Sequence, residues 1–127
     1  MVKSGLRIGL SVGTVVFGLI PLVAPRWFAR QFGLPHDGPA SAVLVRSLGG
    51  RDLLNGVGLV ATLGNPRRHR SWLWLRTALD LIDMSSSMAA LRLDRRNYRL
   101  AALGAIAAGA SVVDMILLAT TSGSPKR

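Results

Sequence analysis

Four apolar segments, each about as long as a membrane-spanning helix, divide this sequence of 127 residues. They run over residues 8–25, 42–64, 71–91 and 100–120, and short Arg-rich connections separate them. A helix needs about 17–25 predominantly apolar residues to cross a bilayer. The pattern therefore predicts an all-α, integral membrane four-helix bundle that forms a single domain over residues 1–127.

The composition is typical of a membrane protein and excludes several kinds of cross-link, metal site and catalytic group. Half of the residues are hydrophobic, although 16 Lys and Arg against 6 acidic residues give a net charge of +10. A disordered basic segment would instead be poor in Leu, Val and Ile. The chain has no cysteine, which excludes disulfides, thiolate metal sites and cysteine nucleophiles. It also has no glutamate, so any carboxylate chemistry falls to the aspartates.

Two alternatives to four membrane spans fit the sequence less well. A soluble four-helix bundle would place the charged residues of the second and third segments on an exposed face, but the first and fourth segments are apolar nearly all round. An export signal could begin with Lys3 and Arg7. The apolar run that follows is long for such a signal, however, and no Ala-x-Ala site precedes Arg26.

Aromatic residues stand at the ends of the predicted spans, as they do in interfacial belts. Trp27 follows the first span, Trp72 opens the third and Tyr98 precedes the fourth. Residues 26–34 are predicted to form a short interfacial segment that directs its aromatic side chains toward lipid and its arginines toward headgroups.

Basic residues are divided almost evenly between the two membrane faces of this arrangement, with seven on the face that holds both termini and six on the other. The small excess favours both termini in the cytoplasm of a bacterial plasma membrane, in a multi-pass chain. A near-tie is also typical of an antiparallel homodimer with dual topology. Both faces are expected to bind anionic lipid headgroups, and nucleic acid is excluded as a partner because no single basic groove forms.

Small residues recur every four positions in the first and fourth spans. Gly5, Gly9 and Gly13 form one such stripe, and Gly104 with Ala108 begins another. Small residues at this spacing let two helix backbones approach closely in a membrane. We therefore expect both stripes to lie at helix–helix contacts.

Seven ionisable residues fall inside the predicted spans, where charged groups are costly and usually functional. They are Arg46, Arg51 and Asp52 in the second span, Arg76, Asp80 and Asp83 in the third, and Asp114 in the fourth.

Helical periodicity gathers most of these charges on two faces. At 100° per residue, the third span carries a polar stripe about 60° wide. The stripe consists of Arg76, Asp80, Asp83 and Ser87. In the second span Arg51, Asp52 and Asn55 share an arc of about 100°. Arg46 points the other way and is expected to reach the headgroups.

A rise of 1.5 Å per residue predicts which charges meet at the same depth. The predicted pairs are Arg51 with Asp83 and Arg76 with Asp114. Asp52 and Asp80 are left near the midplane without an exclusive partner, and Asp80 also lies one helical turn from Arg76.

The buried site has two arginines and four aspartates, a charge of −2 if all ionise, so we expect at least one aspartate to hold a proton. A protonated and an ionised carboxyl side by side, oriented by arginine, suit general acid–base chemistry on a lipophilic small molecule. We expect Asp52 or Asp80 to be the base and the other the acid, in an enzyme or a binding protein. The remaining candidates are Arg51, Arg76 and Asp83 as catalytic or orienting groups, Asn55 for positioning substrate or water, and Asp114, Ser87 and Ser111 for substrate binding.

Several other uses of these charges stay open. Ion pairs could simply hold the helices together, or the site could serve a proton-linked exporter or an accessory subunit of a larger membrane complex. A magnesium–diphosphate site on Asp80 and Asp83 is a further alternative, although Arg76 competes for both carboxylates. No zinc ligand set and no cofactor are predicted. His36 and His69 lie in connections and are expected to be solvated.

Two segments resemble small four-helix bacterial membrane proteins of the DoxX-like kind, and more closely an uncharacterised relative grouped as a domain of unknown function. The segments are RWFARQFGLP at residues 26–35 and RSLGGRD at residues 46–52. The resemblance covers most of the chain and implies a four-helix membrane bundle. Separately, the Asp-Arg-Asp combination is similar to the site of limonene-type epoxide hydrolases, whose triad activates water and protonates an epoxide. Their fold is soluble and different, so this likeness suggests epoxide opening or isomerisation from the site alone.

Overall fold

The computed structural model describes residues 2–93, 96 and 98–121. Asp94, Arg95 and residues 122–127, which include charged residues counted above, lie outside the described residues. The described part forms five helices and no strand. They are α1 (Val2–Val23), α2 (Pro25–Gln31), α3 (Pro39–Ala61), α4 (Pro66–Leu93) and α5 (Tyr98–Thr121). The all-α prediction is confirmed, and the four apolar segments lie mainly in the four long helices.

Two of the long helices meet the length and hydropathy expected of a membrane span. These are Ser4–Val23 in α1 and Ala101–Thr120 in α5. α3 and α4 carry most of the buried charges, which lower their mean hydropathy. Two helices of this apolar length are weak evidence for membrane association, and the four-span arrangement stays a prediction.

Proline starts three of the helices. Pro25, Pro39 and Pro66 are the first residues of α2, α3 and α4, where the missing N–H costs no helical hydrogen bond. Asn65 caps α4, because its side-chain oxygen accepts a hydrogen bond of 3.1 Å from the backbone N–H of Arg68. These caps begin α3 and α4 a few residues before the predicted apolar segments.

The short helix α2 packs against α1 and α3. Gly33 ends it with a positive φ of 65°, and the N–H of Leu34 bonds to the Ala29 carbonyl at 2.9 Å. Phe28 is only 1% exposed, and its ring lies 5.5 Å from that of Phe17. The prediction that the aromatic residues of this segment face lipid is therefore wrong for Phe28, which fills a pocket formed by α1 and α3.

The long helices form two tightly packed pairs, α1 with α3 and α4 with α5, and the contact between the pairs is smaller. Glycine allows the close approach of α1 and α3. A Cβ atom on Gly56 would lie 2.6 Å from the backbone nitrogen of Val15, and one on Gly49 would lie 2.7 Å from the Gly18 carbonyl oxygen. The α1–α3 contact therefore needs glycine at these positions.

The glycine stripe predicted for α1 does not lie at a helix–helix contact. A Cβ on Gly5, Gly9 or Gly13 would meet nothing within 4 Å, so the prediction that this stripe packs against another helix is wrong. In α5 the prediction holds, because a Cβ on Gly104 would lie 3.1 Å from the Cβ of Ser87 on α4.

Two small apolar clusters close the opposite ends of the helix pairs. Leu59, Leu73 and Leu117 belong to one cluster, and Phe28 and Val45 belong to the other. On α3, Arg51 and Asp52 lie between Val45 of one cluster and Leu59 of the other, so charged residues separate the two clusters along this helix.

Candidate functional site

Arg51 links α3 to α4 and holds two carboxylates. Its Nη1 and Nη2 donate to the two oxygens of Asp83 at 3.0 and 2.5 Å, which is a bidentate pair. Its Nε and Nη2 also donate to Asp52, at 3.0 and 2.9 Å, and both bonds go to Oδ1. We call Arg51, Asp52 and Asp83 the Arg51 set.

Arg76 forms a second group of the same kind, which joins α4 to α5 and α1. Its Nε donates to Asp114 Oδ2 at 3.1 Å and lies 3.6 Å from Asp80 Oδ2. Its Nη1 donates to the hydroxyl oxygen of Thr14, which itself donates to the Leu10 carbonyl at 2.8 Å. We call Arg76, Asp80, Asp114 and Thr14 the Arg76 set. Both pairs predicted from helix depth are therefore present.

Several oxygen atoms of the site are buried without a hydrogen-bond partner among the described residues. These atoms are Asp80 Oδ2, Asp114 Oδ1 and Asn55 Oδ1. Asn55 is 3% exposed and Asp114 is fully buried. Buried polar atoms usually have partners, because leaving one unsatisfied costs about 1–3 kcal/mol. The site therefore has unused hydrogen-bond acceptors.

A cavity of about 300 Å³ lies between the two helix pairs and reaches both sets. Its polar wall consists of Asp52, Asn55, Arg76, Asp80 and Asp83, and its apolar wall includes Phe17, Leu79, Leu103 and Ile106. A second cavity of about 280 Å³ shares Asp52 and Asp83 with the first and is also lined by Ser87. The carboxylates are thus open to a small molecule although most of each side chain is covered.

The charge balance of the site leaves one carboxylate in excess for each arginine. Arg51 serves Asp52 and Asp83, and Arg76 serves Asp80 and Asp114. Asp80 and Asp114 both approach the same nitrogen of Arg76, with their Oδ2 atoms 3.6 and 3.1 Å from Nε. A shared proton would relieve the repulsion between these two groups. This geometry suits a carboxylic acid that donates a proton.

Not every predicted site residue lines the first cavity. Asp114 lies behind Arg76, and Ser111 is buried on α5 without lining either cavity described above. Ser87 packs against Gly104 and lines the second cavity only. Arg46 is exposed on α3, as its position on the far side of that helix predicts.

Sequence reasoning missed the contribution of α1. Thr14 is 6% exposed and accepts a hydrogen bond from Arg76, and Phe17 lines both cavities. A signal for this face was present, because Ser11 and Thr14 are hydroxyl residues one helical turn apart in an otherwise apolar segment. Both hydroxyls bond to backbone carbonyls of their own helix.

The magnesium alternative does not fit the geometry of the acids. Both oxygens of Asp83 are held by Arg51, and Asp80 faces Arg76. Within the described ranges, no three His, Cys, Asp or Glu side chains come together in a group that could bind a metal ion.

His69 is buried, and the prediction that it is solvated is therefore wrong. It is 1% exposed, and its Nδ1 lies 3.1 Å from the Leu59 carbonyl oxygen and 3.4 Å from the Thr62 hydroxyl. Burial, together with the positive charge of Arg7, lowers the pKa of His69. His36 is half-exposed in the connection before α3. Neither histidine lines the two cavities of the site.

Comparison with known proteins gives one match. The family model described as "Domain of unknown function (DUF4267)" matches residues 11–127, so the chain belongs to that family. No curated protein and no solved structure matches the chain.

Proposed function

We propose that this DUF4267 protein crosses the membrane four times and uses its buried Asp/Arg site for acid–base chemistry on a lipophilic small molecule. The resemblance to DoxX-like proteins supports the same topology, in a bacterial plasma membrane. The observation that carries the proposal is the cavity, because it brings an apolar wall and a pair of differently held aspartates to one small volume.

The distribution of side chains supports a lipid environment for all four long helices. Large apolar side chains are exposed on α3 and α4 as well as on α1 and α5. Examples are Leu44 and Leu54 on α3 and Trp74 and Ile82 on α4, which are 56–71% exposed. Polar residues are as numerous as hydrophobic ones among the buried side chains of the described residues, and Asn55, Thr77 and Asp114 are each less than 5% exposed. Water-soluble monomers rarely expose apolar surface of this extent, whereas intramembrane polar groups face the interior.

Asp52 is the better candidate for the base. Both hydrogen bonds from Arg51 go to Oδ1 of Asp52. This pairing favours the ionised form and leaves Oδ2 without a hydrogen bond from Arg51. Asp80 is the better candidate for the acid, because its Oδ2 has no hydrogen-bond partner among the described residues and its closest cation is shared with Asp114.

These roles give a balanced route for opening an epoxide. Oδ2 of Asp52 takes a proton from water as the water oxygen bonds to an epoxide carbon and the ring C–O bond breaks. The ring oxygen takes the proton of Asp80, and a diol is formed. Asp52 then returns its proton to Asp80 through the cavity. Asn55 positions the water or the substrate, and the arginines hold the two carboxylates in place.

Helix association alone is a weaker account of the site. One bidentate pair, Arg51 with Asp83, would join α3 to α4 without a cavity beside it. Helix association also gives no reason for the unpartnered oxygens on Asn55 and Asp80. Such buried atoms lower stability unless a ligand or water satisfies them.

The proposal is tested by epoxide hydration in lipid nanodiscs. Hydrolysis of limonene oxide to its diol is measured for the wild type, for Asp52→Asn and Asp80→Asn, and for Asp37→Asn as a control. The Asp37 side chain is 97% exposed and lies far along the chain from the site. Loss of a general acid or base lowers a rate by about 10²- to 10⁴-fold. We expect that loss in the two site variants and wild-type rates in the control.

Two results would contradict the acid–base proposal. Equal rates for the wild type and Asp80→Asn would remove Asp80 from the chemistry. A wild-type rate no higher than that of empty nanodiscs would rule out epoxide opening. Each variant is first shown to keep its helical circular dichroism, so that a loss of activity reports on the site.

A further inference from the structure

The cavity is lined by both α1 and α5, and these two helices do not pack closely on each other. Gly9 and Gly13 line it from α1, and Ile106 and Ala110 line it from α5. The two helices make little or no contact with each other, because α1 packs on α3 and α5 packs on α4. Both glycines and Ile106 are also exposed at the molecular surface. The cavity therefore reaches the outside through this gap.

Helix packing does not explain the two glycines. A Cβ atom on Gly9 or Gly13 would meet nothing within 4 Å, in contrast to the glycines between α1 and α3. Glycine also lowers helix stability by about 1 kcal/mol relative to alanine. The two glycines keep the gap between α1 and α5 wide, because any larger side chain at these positions would narrow it.

The surface around the gap is apolar. Leu6 and Val16 on α1 and Ile106 on α5 are 42–52% exposed. In a chain that spans the membrane, this surface faces the hydrocarbon core of the bilayer. The gap then opens sideways into lipid.

The buried end of the cavity shows what kind of head group fits there. Asn55 is 97% buried, lines the cavity and has an Oδ1 with no hydrogen-bond partner in the described part of the chain. Asp80 Oδ2, also on the cavity wall, is in the same state. Asn55 Oδ1 is an acceptor, so a ligand satisfies it with a hydrogen-bond donor. A hydroxyl group can do this and can also accept a hydrogen bond from Asp80, the proposed acid. The diol product of the proposed reaction carries such hydroxyls, and with an epoxide the reacting water is the donor to Asn55. The excess of carboxylates over arginines in the site disfavours an anion.

We infer that the cavity takes a small, uncharged lipophile with a hydrogen-bond-donating head group, and that this molecule enters from the bilayer through the gap between α1 and α5. The inference rests on the proposed function, because the gap faces lipid only in a chain that spans the membrane. A volume of about 300 Å³ is at the lower end of the range for small-molecule sites. The head group lies against Asn55 and Asp80, and the apolar body lies along Phe17 and Leu103.

Binding of three naphthalene probes to the protein in nanodiscs tests the head group. Naphthol has a donor, methoxynaphthalene has the same rings without a donor, and naphthoate is anionic. Equilibrium dialysis against empty nanodiscs corrects for partition into lipid. We expect naphthol to bind at least about tenfold more tightly than methoxynaphthalene, and naphthoate to bind most weakly. Equal binding of naphthol and methoxynaphthalene, or tighter binding of naphthoate, would overturn the inference about the head group.

Matched glycine variants test the route. Gly9→Leu and Gly13→Leu place a side chain in the gap. Gly5→Leu adds the same side chain one turn earlier on α1, outside the cavity lining, and serves as the control. None of the three new Cβ atoms meets a neighbour within 4 Å, so all three variants are expected to fold. We expect naphthol to associate at least about tenfold more slowly with Gly9→Leu and Gly13→Leu than with Gly5→Leu and the wild type. Equal association rates in all four proteins would overturn the route.

The two proposals fail separately in these measurements. Selective naphthol binding without epoxide turnover contradicts the acid–base chemistry and leaves the ligand class intact. Turnover that depends on Asp80, combined with equal association rates in the glycine variants, contradicts the route through the gap and leaves the chemistry intact.

Discussion

Each arginine of the site binds its carboxylates unequally, and this inequality gives the aspartates different chemistry. Asp83 has both oxygens bonded to Arg51, whereas Asp52 receives both of its hydrogen bonds at Oδ1. Asp80 has only the longer contact of 3.6 Å to Arg76. A carboxylate held at both oxygens is a structural group. A carboxylate with a free oxygen on a cavity wall can exchange a proton.

His69 offers a prediction on stability that is independent of the site. Its pKa is lowered from an ordinary value of 6.5 in the folded chain, and it lies before the apolar segment that begins at residue 71. Between the two pKa values the unfolded chain binds the proton and the folded chain does not. The contribution of neutral His69 to stability is therefore complete above about pH 6.5, and it is lost as the pH falls toward the lowered value.

We expect the wild type to lose more stability than His69→Asn when the pH is lowered from about 7.5 to 5. His36→Asn, which changes a half-exposed histidine, should lose as much stability as the wild type. Thermal unfolding in detergent, followed by circular dichroism, measures the difference. If His69→Asn and the wild type lose stability equally, His69 is not the buried neutral group described here.

At the scale of the helices, α1 uses two faces for different purposes. The face with Gly18 packs closely on Gly49 and Gly56 of α3, and the face with Gly9 and Gly13 leaves a cavity wall open. Thr14 lies between these two faces and accepts a hydrogen bond from Arg76 of the other helix pair. α1 therefore carries no charge to the site, yet it helps to orient one of the two arginines.

A glycine pair on α3 tests the close approach of α1 and α3. Gly56→Ala adds a Cβ that would lie 2.6 Å from the backbone nitrogen of Val15, whereas Gly50→Ala adds one with nothing within 4 Å. Overpacking costs about 1–3 kcal/mol, so we expect Gly56→Ala to unfold more easily than the wild type. Gly50→Ala should be unchanged or slightly more stable, since alanine is the better helix former.

Unfolding by sodium dodecyl sulfate in mixed micelles compares the two alanine variants directly. Equal stability of Gly56→Ala and Gly50→Ala would mean that α1 and α3 are not in the close contact described here.

For the molecule as a whole, regular helical geometry made part of the site predictable. Helix periodicity and rise predicted the polar faces of α3 and α4 and the pairing of Arg51 with Asp83, because these follow from 3.6 residues per turn and 1.5 Å per residue. The helix faces that pack closely on each other could not be predicted in this way. The spacing of Gly5, Gly9 and Gly13 predicts a helix face without large side chains. It does not indicate whether another helix packs against that face.

The connections were the least predictable part of the chain. Phe28 and His69 lie in segments that looked interfacial or solvated, and both are 1% exposed because those segments fold back onto the helix ends. Their burial depends on long-range packing against α1 and α3, which local sequence does not encode. Thr14 was missed for the same reason, since its partner Arg76 lies 62 residues away in the sequence.

The arrangement of the whole molecule reverses that of a water-soluble protein. Charged and hydroxyl side chains lie between the two helix pairs, and large apolar side chains cover the outside of all four long helices. Within the described part of the chain, only α1 and α5 meet the hydropathy of a membrane span by themselves. The central claim is therefore that α3 and α4 also cross the membrane and keep their charges inside.

The side of the membrane reached by the two connections around α3 tests this claim most directly. The chain has no cysteine, so Asp37→Cys and Gly64→Cys each introduce one thiol at an exposed position. Both are labelled with a membrane-impermeant maleimide in spheroplasts, and again after permeabilisation as a control. If α3 crosses the membrane, one thiol is labelled from outside and the other only after permeabilisation. Labelling of both thiols from the same side alone would mean that α3 does not cross the membrane, which contradicts the account.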